Sequence, residues 1–501
     1  MLLMPPSLSE WLPEDHLVWT VLGAVEQMDL GRFREAYRLG GAGRAPYDPA
    51  MLVALLLYSY ARGNRSSRGI ERACWEDVAF KVITGMRTPD HSTIAQFRRR
   101  HEADIAELFD DVLGLCRVAG LVSVGVITID GTKIKANASM DQNRSCREVA
   151  IEILREADEI DRREDELYGD ARGDELPEAL RTPEGRRQAL ADAKRRIQER
   201  NARPAEDGSA VEMQVDLEAT VLARPVLRRG GRREWFRVAR SELAAHRAQQ
   251  ARPIARDRDD RLLGALGRFE ENQRVDLAAN EAYERWRATA RDTKGRVLKG
   301  NSKPYTPPEE PEGRINLSDP DSRVMRTQGT PARQAYNAQA AVNDQQIVLA
   351  AEITVDSPDF GHLEPTLDRA LAHLQHHGIT ELPEVVVADA GYWHTRQIEA
   401  ITQRGMEVLI PPESGVREGK RPGWDRAVYD QMRAKLTTDR GRTLYAQRKV
   451  TIEPVFGQIK HNRRIDQFMR RGRAAVQSEW RLVAATHNLL KLHSHWIATT
   501  A

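Results

Sequence analysis

The sequence predicts an α/β protein: a mixed sheet with flanking helices, preceded by an all-helical segment and interrupted by a large, charged, mainly helical insertion. Three observations predict it. Apolar residues recur at helical spacing through the first 120 residues. Short β-branched and apolar runs begin at Val122 and return after residue 315. Between them lies a highly charged stretch, about 141–315, too poor in apolar residues to supply the centre of a sheet.

Taken in order, Leu17, Val18, Val21, Leu22 and Val25 mark a first helix, and PYDPAMLVALLLYSYARG marks a buried one. In RTPDHSTIAQFRRRH, Asp90 or Ser92 can cap a helix that carries Arg98, Arg99 and Arg100. That cluster reads either as a solvated face or as phosphate contacts of a helix-turn-helix-like module. Ile105, Leu108, Phe109, Val112 and Cys116 give another helix, which Gly120 ends. VSVGVITIDGTKIKANAS then reads as a buried strand with a turn at the glycine after Asp130. REVAIEILREADEIDRREDEL and EGRRQALADAKRRIQER read as long surface helices or a coiled coil, and KPYTPPEEPEGR closes the insertion as a linker. AYNAQAAVND and QIVLAAEITV form a hairpin, GHLEPTLDRALAHLQHHG a helix ended by Gly378, EVVVADAGYW and EVLIPP two short strands separated by the helix TRQIEAITQRG, and about 444–496 a final helical region. This is the element order of an RNase H-like fold, with the insertion between its first and second strands. The domains are then 1–120, helical and DNA-binding; 121–140 with 316–501, catalytic; and 141–315, the insertion.

Composition bounds the function. Hydrophobic residues make up 41% of the 501 residues and charged residues 30%, while the net charge is only +2, so local charge matters more than bulk charge. Cys74, Cys116 and Cys146 match no disulfide or zinc spacing and fit a reducing cytoplasm. No apolar run approaches a membrane span, and the opening MLLMPPSLSEWLPEDH lacks the basic-then-apolar pattern of a signal peptide. No phosphate-binding glycine loop with Lys and Ser/Thr is present, so no nucleotide cofactor is expected. His91, His362, His376 and His377 are scattered or in helical context, so no zinc site is expected either.

Three acids are candidates to carry the chemistry. Asp130 in VITIDG and Asp389 in VVVADAGY follow apolar strands, where a carboxylate lies beside the core yet within reach of solvent. A turn-forming or capping Asp is the plain alternative for each. The third is Glu453 in LYAQRKVTIEPVFGQIKHNRR, which on a helix shares a face with Lys460, with Gly457 between them. A surface ion pair is the alternative there. Pro454 fits the first helical position, with Glu453 as cap, or kinks the helix. Three converging carboxylates suit Mg²⁺ or Mn²⁺, and two such ions about 3.5–4 Å apart can activate an attacking oxygen and stabilise a leaving one.

These residues resemble the bacterial insertion-sequence DDE transposases of the IS-four and IS-five superfamily, and are most similar to the IS-eleven-eighty-two type. PYDPAMLVALLLYSYARG through RTPDHSTIAQFRRRH resembles their helical N-terminal domain, ITIDGTKIKANAS the block of the first catalytic Asp, and DSRVMRTQGTPARQAYNAQAAVND, VVVADAGYW and IEPVFGQIKHNRR the blocks around the second Asp and the Glu. The resemblance implies that Asp130, Asp389 and Glu453 bind two Mg²⁺ ions, or Mn²⁺, and are the catalytic triad. It also implies that Lys460 contacts a phosphate near the cut. Glu453 and Lys460 keep the spacing of the family's Tyr, Arg, Glu, Lys signature. Tyr445 and Arg448 precede them, but Arg448 is one residue out of place and Lys449 holds the family's offset. Trp393 reads as a core aromatic or as a stacking surface for an unpaired base. Arg463, Arg464, Arg470, Arg471 and Arg473 read as DNA phosphate contacts or as a solvated face.

The expected activity is binding of element ends, metal-dependent phosphodiester hydrolysis, and joining to target DNA by transesterification. The partners are double-stranded DNA, as terminal inverted repeats and target, and a second copy in a homodimer; no membrane is involved, and the place of action is the bacterial cytoplasm, on nucleoid DNA. A nuclease without strand transfer uses the same acids and metals. A non-catalytic DNA-binding derivative would have no need of all three acids, and a helical scaffold leaves the strand-end acids unexplained.

Overall fold

The computed structural model describes residues 7–35, 37, 46–156, 188, 190–193, 195, 231–249, 258–289, 304–308, 310–326, 331–413 and 427–500. The chain divides into two compact units, Met1–Asn137 with Val324–Ala501, and Ala138–Arg323.

The first unit opens on helices α1 (Leu17–Gln27), α2 (Pro49–Ala61), α3 (Ser67–Glu76), α4 (Val78–Thr84), α5 (His91–Arg100) and α6 (Glu102–Val118). Local chemistry sets their ends. Asp48 caps α2 by accepting the Ala50 N–H at 3.0 Å, with Pro49 in the first turn, where its missing donor costs nothing. Asp90 caps α5 through the Thr93 N–H at 2.8 Å. Gly120, at φ 75°, follows the end of α6. Every residue of α2 from Leu52 to Ala61 is buried, as its unbroken apolar run requires.

Five strands follow: β1 (Val126–Lys135), β2 (Arg333–Asn343), β3 (Val348–Thr354), β4 (Val385–Ala388) and β5 (Glu407–Leu409). They pair in the order β3–β2–β1–β4–β5, and Arg323–Met325 adds a short pairing to β2. β2 runs antiparallel to both β1 and β3; β4 runs parallel to β1, and β5 parallel to β4. The turn expected at Gly131 is not there. β1 runs on through it, paired with β2 from Ile127–Asn343 to Lys135–Ala335. A Cβ at Gly131 would lie 2.3 Å from Gln339 Nε2 and 2.5 Å from Asp359 Oδ1, so the glycine makes room for side chains rather than turning the chain.

Helices α7 (Leu363–His376), α8 (Thr395–Gln403), α9 (Ala427–Thr437), α10 (Asp439–Gly457) and α11 (Arg473–Thr500) complete this unit. The single expected region 444–496 is thus two helices, parted by a π-helical turn at Gln458–Asn462 and a non-helical stretch. Pro454 neither starts nor breaks α10 but lies inside it. A proline there leaves the carbonyl four residues back without its donor. That carbonyl, on Val450, accepts instead from Gln346 Nε2 at 2.8 Å, and Gln346 sits at φ 63° in the β2–β3 turn. Edge strand β3 is covered by α11 in a similar way. Asn488 accepts from Val348 N and donates to Val348 O, both at 2.8 Å, and Gln477 does the same for Ile353 N and Ala351 O, both at 2.7 Å. Backbone groups that would otherwise invite another strand are thereby occupied.

In the second unit, 146–156, Arg232–Gln249 and Arg258–Thr289 are helical, and Asn143–Arg144 pairs with Ile315–Asn316. Val149, Ile153, Leu262, Leu266 and Phe269 bury a small core with Ile315 and Leu317. The expected helices beyond Glu156, and most of EGRRQALADAKRRIQER, lie outside the described residues. Among the described residues no helix is long and apolar enough to cross a membrane, and the three cysteines are free and buried.

One buried ion pair ties the helical segment to α11. Arg65 meets Glu479 at 3.0 Å with their side chains 8% and 0% exposed, and Glu479 also accepts the Met469 and Arg470 N–H groups at 2.9 and 3.0 Å. Glu479→Ala strands a buried guanidinium and should lower unfolding free energy by about 3–5 kcal/mol. Arg442→Ala, which removes the exposed pair with Asp439, should cost less than about 1 kcal/mol. Urea unfolding of both variants checks the contrast.

Candidate active site

Strand pairing builds the site. Ile129 pairs with Ala388 at the end of the parallel β1–β4 ladder, so the next residue on each strand is an aspartate. Asp130 and Asp389 therefore stand on neighbouring backbones, about 4.8 Å apart in the direction of pairing. Asp130 continues β1. Asp389 follows the last residue of β4 and caps the turn Ala390–Tyr392, accepting the Gly391 N–H at 2.8 Å.

Alternation along β1 puts Thr128, Asp130 and Thr132 on one face. The region from α10 into the π turn touches each of them. Thr451 Oγ1 donates to Thr128 Oγ1 at 3.0 Å, Arg448 Nη1 to Asp130 Oδ2 at 2.8 Å, and Lys460 Nζ to Thr132 Oγ1, with a further bond to the Lys133 carbonyl at 3.1 Å. Arg448 Nη2 also lies 3.3 Å from Glu453 Oε1, so one guanidinium links Asp130 to Glu453. Burial raises the Tyr445 hydroxyl, and the Arg448 charge beside it opposes the rise. Glu453 is 48% exposed. No Glu453–Lys460 pair forms; the Lys460 side chain folds onto β1 instead.

The other face of β1 carries Gly131 and Lys133, and here the structure adds a carboxylate that sequence reasoning missed. Asp359 accepts from Asn337 Nδ2 at 2.7 Å, Gln339 Nε2 at 2.9 Å and Lys133 Nζ at 3.2 Å. Gln339 in turn accepts from the buried Tyr392 hydroxyl. Asp359 follows no apolar run, so neither periodicity nor motif marked it; the glycine at 131 was its one trace in the sequence.

The electrostatics are those of crowded acids. Burial, and then the charge of Asp389, push the Asp130 carboxyl up to about 7 against the pull of Arg448 and the Gly131 N–H. Burial also raises Asp389; the Gly391 N–H opposes this, and Asp359 adds to it. Lys460 is lowered, chiefly by burial. Ionised, these acids need a cation. Arg448 is one, and the all-oxygen donor set of Asp130, Asp389 and Glu453 has the chemistry for a hard divalent ion. In this structure Glu453 reaches Asp130 through Arg448, and the metal-type ligand atoms that do lie within 4.8 Å of one another belong, among the described residues, to a separate cluster of Asp110, His376 and His377.

Two family models match the chain. The model of a transposase domain (DUF772) matches residues 6–100, and that of a transposase DDE domain matches residues 420–493. The two matches support an insertion-sequence DDE transposase. No curated protein and no solved structure matches it. The mixed sheet of the transposase is accordingly RNase H-like, the fold that a DDE domain implies. The DDE match contains Glu453 and Lys460 but neither aspartate.

The remaining residues singled out in the sequence divide by exposure. Lys449, Arg464, Arg99 and Arg100 are exposed, and Arg100 stacks on the Tyr37 ring at 4.9 Å. Arg448, not Lys449, faces the acids. Three assignments to DNA are corrected. Arg463 is buried, with burial lowering its guanidinium to about 9, and donates to Thr486 Oγ1 at 2.7 Å and the Val483 carbonyl at 3.2 Å. Arg98 holds the helices together through Tyr60 Oη at 3.2 Å, the Arg65 carbonyl at 2.8 Å and Ser67. Arg470 pairs with Glu102 at 2.5 Å. Arg471 is exposed and donates to the Asn137 carbonyl at 2.8 Å, while Arg473 is half-buried. Trp393 is buried against Tyr429, with ring centroids 4.7 Å apart, and is a core aromatic.

A raised carboxyl makes a testable pH dependence. The metal-free folded state holds the Asp130 proton more tightly than the unfolded state. Its contribution to stability is present at low pH and is lost as pH rises through about 7. Asp130→Asn cannot ionise, so its stability relative to wild type should rise by a few kcal/mol from about pH 4 to about pH 8. Urea unfolding in EDTA across that range checks this; a difference independent of pH contradicts it.

Proposed function

We propose that Asp130, Asp389 and Glu453 hold two Mg²⁺ or Mn²⁺ ions, and that the transposase uses this site to hydrolyse DNA at the ends of its element and to join those ends to target DNA by transesterification. The observation that carries the reading is the pairing of Ile129 with Ala388, which brings two aspartates from distant segments to one level of a parallel ladder, while Arg448 bridges Asp130 and Glu453. When bound, such ions activate the attacking oxygen and stabilise the leaving one.

The chain's own residues supply alignment and charge. Asp130 changes protonation near neutrality, so a modest gain of nearby positive charge converts it to the carboxylate. Arg448 separates Asp130 from Glu453 and offsets their charge. Lys460, anchored on β1 two residues from Asp130, brings an ammonium group close to where a phosphate beside the cut would lie. Arg99, Arg100, Lys449 and Arg464 offer exposed positive charge for the DNA backbone. We assign end binding to the helical region 1–120, chemistry to 121–140 with 316–501, and an accessory role to the insertion 141–315. The transposase works as a homodimer on double-stranded DNA of the nucleoid.

Because affinity rests on cations and chemistry on carboxylates, the two separate by mutation. Asp130→Asn, Asp389→Asn and Glu453→Gln should each lower Mg²⁺-dependent cleavage of labelled element-end DNA by at least about 10³-fold, with binding in a gel-shift assay within a few-fold of wild type. Near-normal cutting by any one of the three removes that residue from the assignment. Adding pre-cut ends and target plasmid separates transposition from simple hydrolysis: wild type should yield joined products, and release of ends without joining would leave only a nuclease.

A further inference from the structure

The histidines that look scattered in the sequence meet in the fold. Asp110 on α6 is buried, and three imidazoles from the end of α7 converge on it. His376 Nδ1 lies 2.5 Å from Asp110 Oδ2, His373 Nδ1 2.7 Å from Oδ1, and His377 Nε2 3.2 Å from Oδ1 and 3.0 Å from the Asp110 carbonyl oxygen. One potential ligand atom from each of Asp110, His376 and His377 lies within 4.8 Å of the other two. The sequence concealed this because Asp110 and the histidines are more than 260 residues apart, and nothing in HLQHHG shows which faces of the helix end turn inward.

We propose that Asp110, His376 and His377 form a binding site for a transition-metal ion of the Zn²⁺ class, with His373 holding the second carboxylate oxygen of Asp110. Two imidazole nitrogens and one carboxylate oxygen are the ligand types that Zn²⁺ takes, and they differ from the all-oxygen set around Asp130. His373, bonded to the carboxylate from the side, acts as the orienting partner that such sites commonly use. The fourth position is open to solvent, because the His376 side chain is 72% exposed and gives an ion a way in. Residue 114 on α6, one turn beyond Asp110, is glycine. A Cβ there would lie 2.9 Å from His377 Cε1 and 3.2 Å from its Nδ1, so the missing side chain leaves the space that the ring fills. Phe109 packs edge-on against His373, with centroids 5.3 Å apart, and fixes that ring. Ligands from α6 and α7 make the ion a staple between the helical segment and the helix that follows the β2–β3 hairpin. It would raise the stability of the folded chain in proportion to its binding.

The test uses the full chain, stripped with EDTA and kept in excess Mg²⁺ so that the carboxylate site is occupied. Zn²⁺ is then titrated calorimetrically, with bound metal counted by elemental analysis, and Co²⁺ serves as the spectroscopic probe. The proposal expects one tight Zn²⁺ per chain, visible d–d bands of low-symmetry Co²⁺ with nitrogen ligands, and a higher thermal midpoint with Zn²⁺. His376→Ala/His377→Ala should weaken binding by at least about 100-fold and abolish the bands. Gly114→Ala, which displaces the ring without removing a ligand, should weaken binding by less. His376→Gln, at an exposed position, keeps the test valid if the double variant fails to fold. Wild-type binding no tighter than that of the variants would overturn the proposal and leave a hydrogen-bonded His–Asp lock between two helices. These readouts are independent of DNA cleavage and stand or fall separately from the assignment of Asp130, Asp389 and Glu453.

Discussion

The constraint on which the site depends is the repulsion between two carboxylates that a parallel ladder holds side by side. Ile129 and Ala388 are paired, so Asp130 and Asp389 are neighbours by register, and burial leaves neither carboxylate well solvated. Side-chain rearrangement alone cannot relieve this, because backbone hydrogen bonding sets the spacing. The surrounding structure answers with positive charge: Arg448 from the helix above the strand and Lys133 from its other face. A buried cluster in which acids outnumber their cations is costly for stability alone. Such strain is characteristic of sites tuned for chemistry.

The same constraint explains the shape of the helical side of the site. α10 and the π turn that follows must together deliver three side chains onto one face of β1, at Thr128, Asp130 and Thr132, which a straight α-helix does poorly because its period does not match a strand's. Pro454 and the π turn at Gln458–Asn462 are where the chain adjusts. Gln346 satisfies the carbonyl that the proline leaves without a donor, and the π turn brings Lys460 to Thr132 rather than onto the face of Glu453. The backbone of this segment is thus regular at Arg448, where it meets Asp130, and irregular at the π turn, where it delivers Lys460.

Much of this was legible in the chain. The cap at Asp90, the β2–β3 hairpin, the short strands before Asp389 and at Glu407–Leu409, and the helix closed by Gly378 all follow from local signals that need no tertiary context. What stayed hidden depended on packing. Gly131 looks like a turn because glycine usually is one; only the approach of Gln339 and Asp359 shows that it belongs to a strand. Arg463 looks like a DNA contact beside Arg464, yet the left-handed conformation of Arg464, at φ 55°, leaves one arginine exposed and its neighbour inside. Helical spacing put Glu453 and Lys460 on one face, and the π turn broke that spacing. Asp359 and the meeting of Asp110 with His373, His376 and His377 are juxtapositions across long stretches of chain, which no local pattern records.

The central claim is that Asp130, Asp389 and Glu453 are a divalent-cation site in which Arg448 holds the acids until the ions arrive. A crystal of the transposase with element-end DNA and Mn²⁺ tests it most directly, because Mn²⁺ scatters anomalously and its position needs no assumption about the protein. The account predicts anomalous peaks within coordination distance of Asp130 and Asp389, with the Arg448 guanidinium moved off Asp130 and Glu453 turned to the metal. Mn²⁺ bound elsewhere, with the Arg448–Asp130 pair intact beside the DNA, would contradict it.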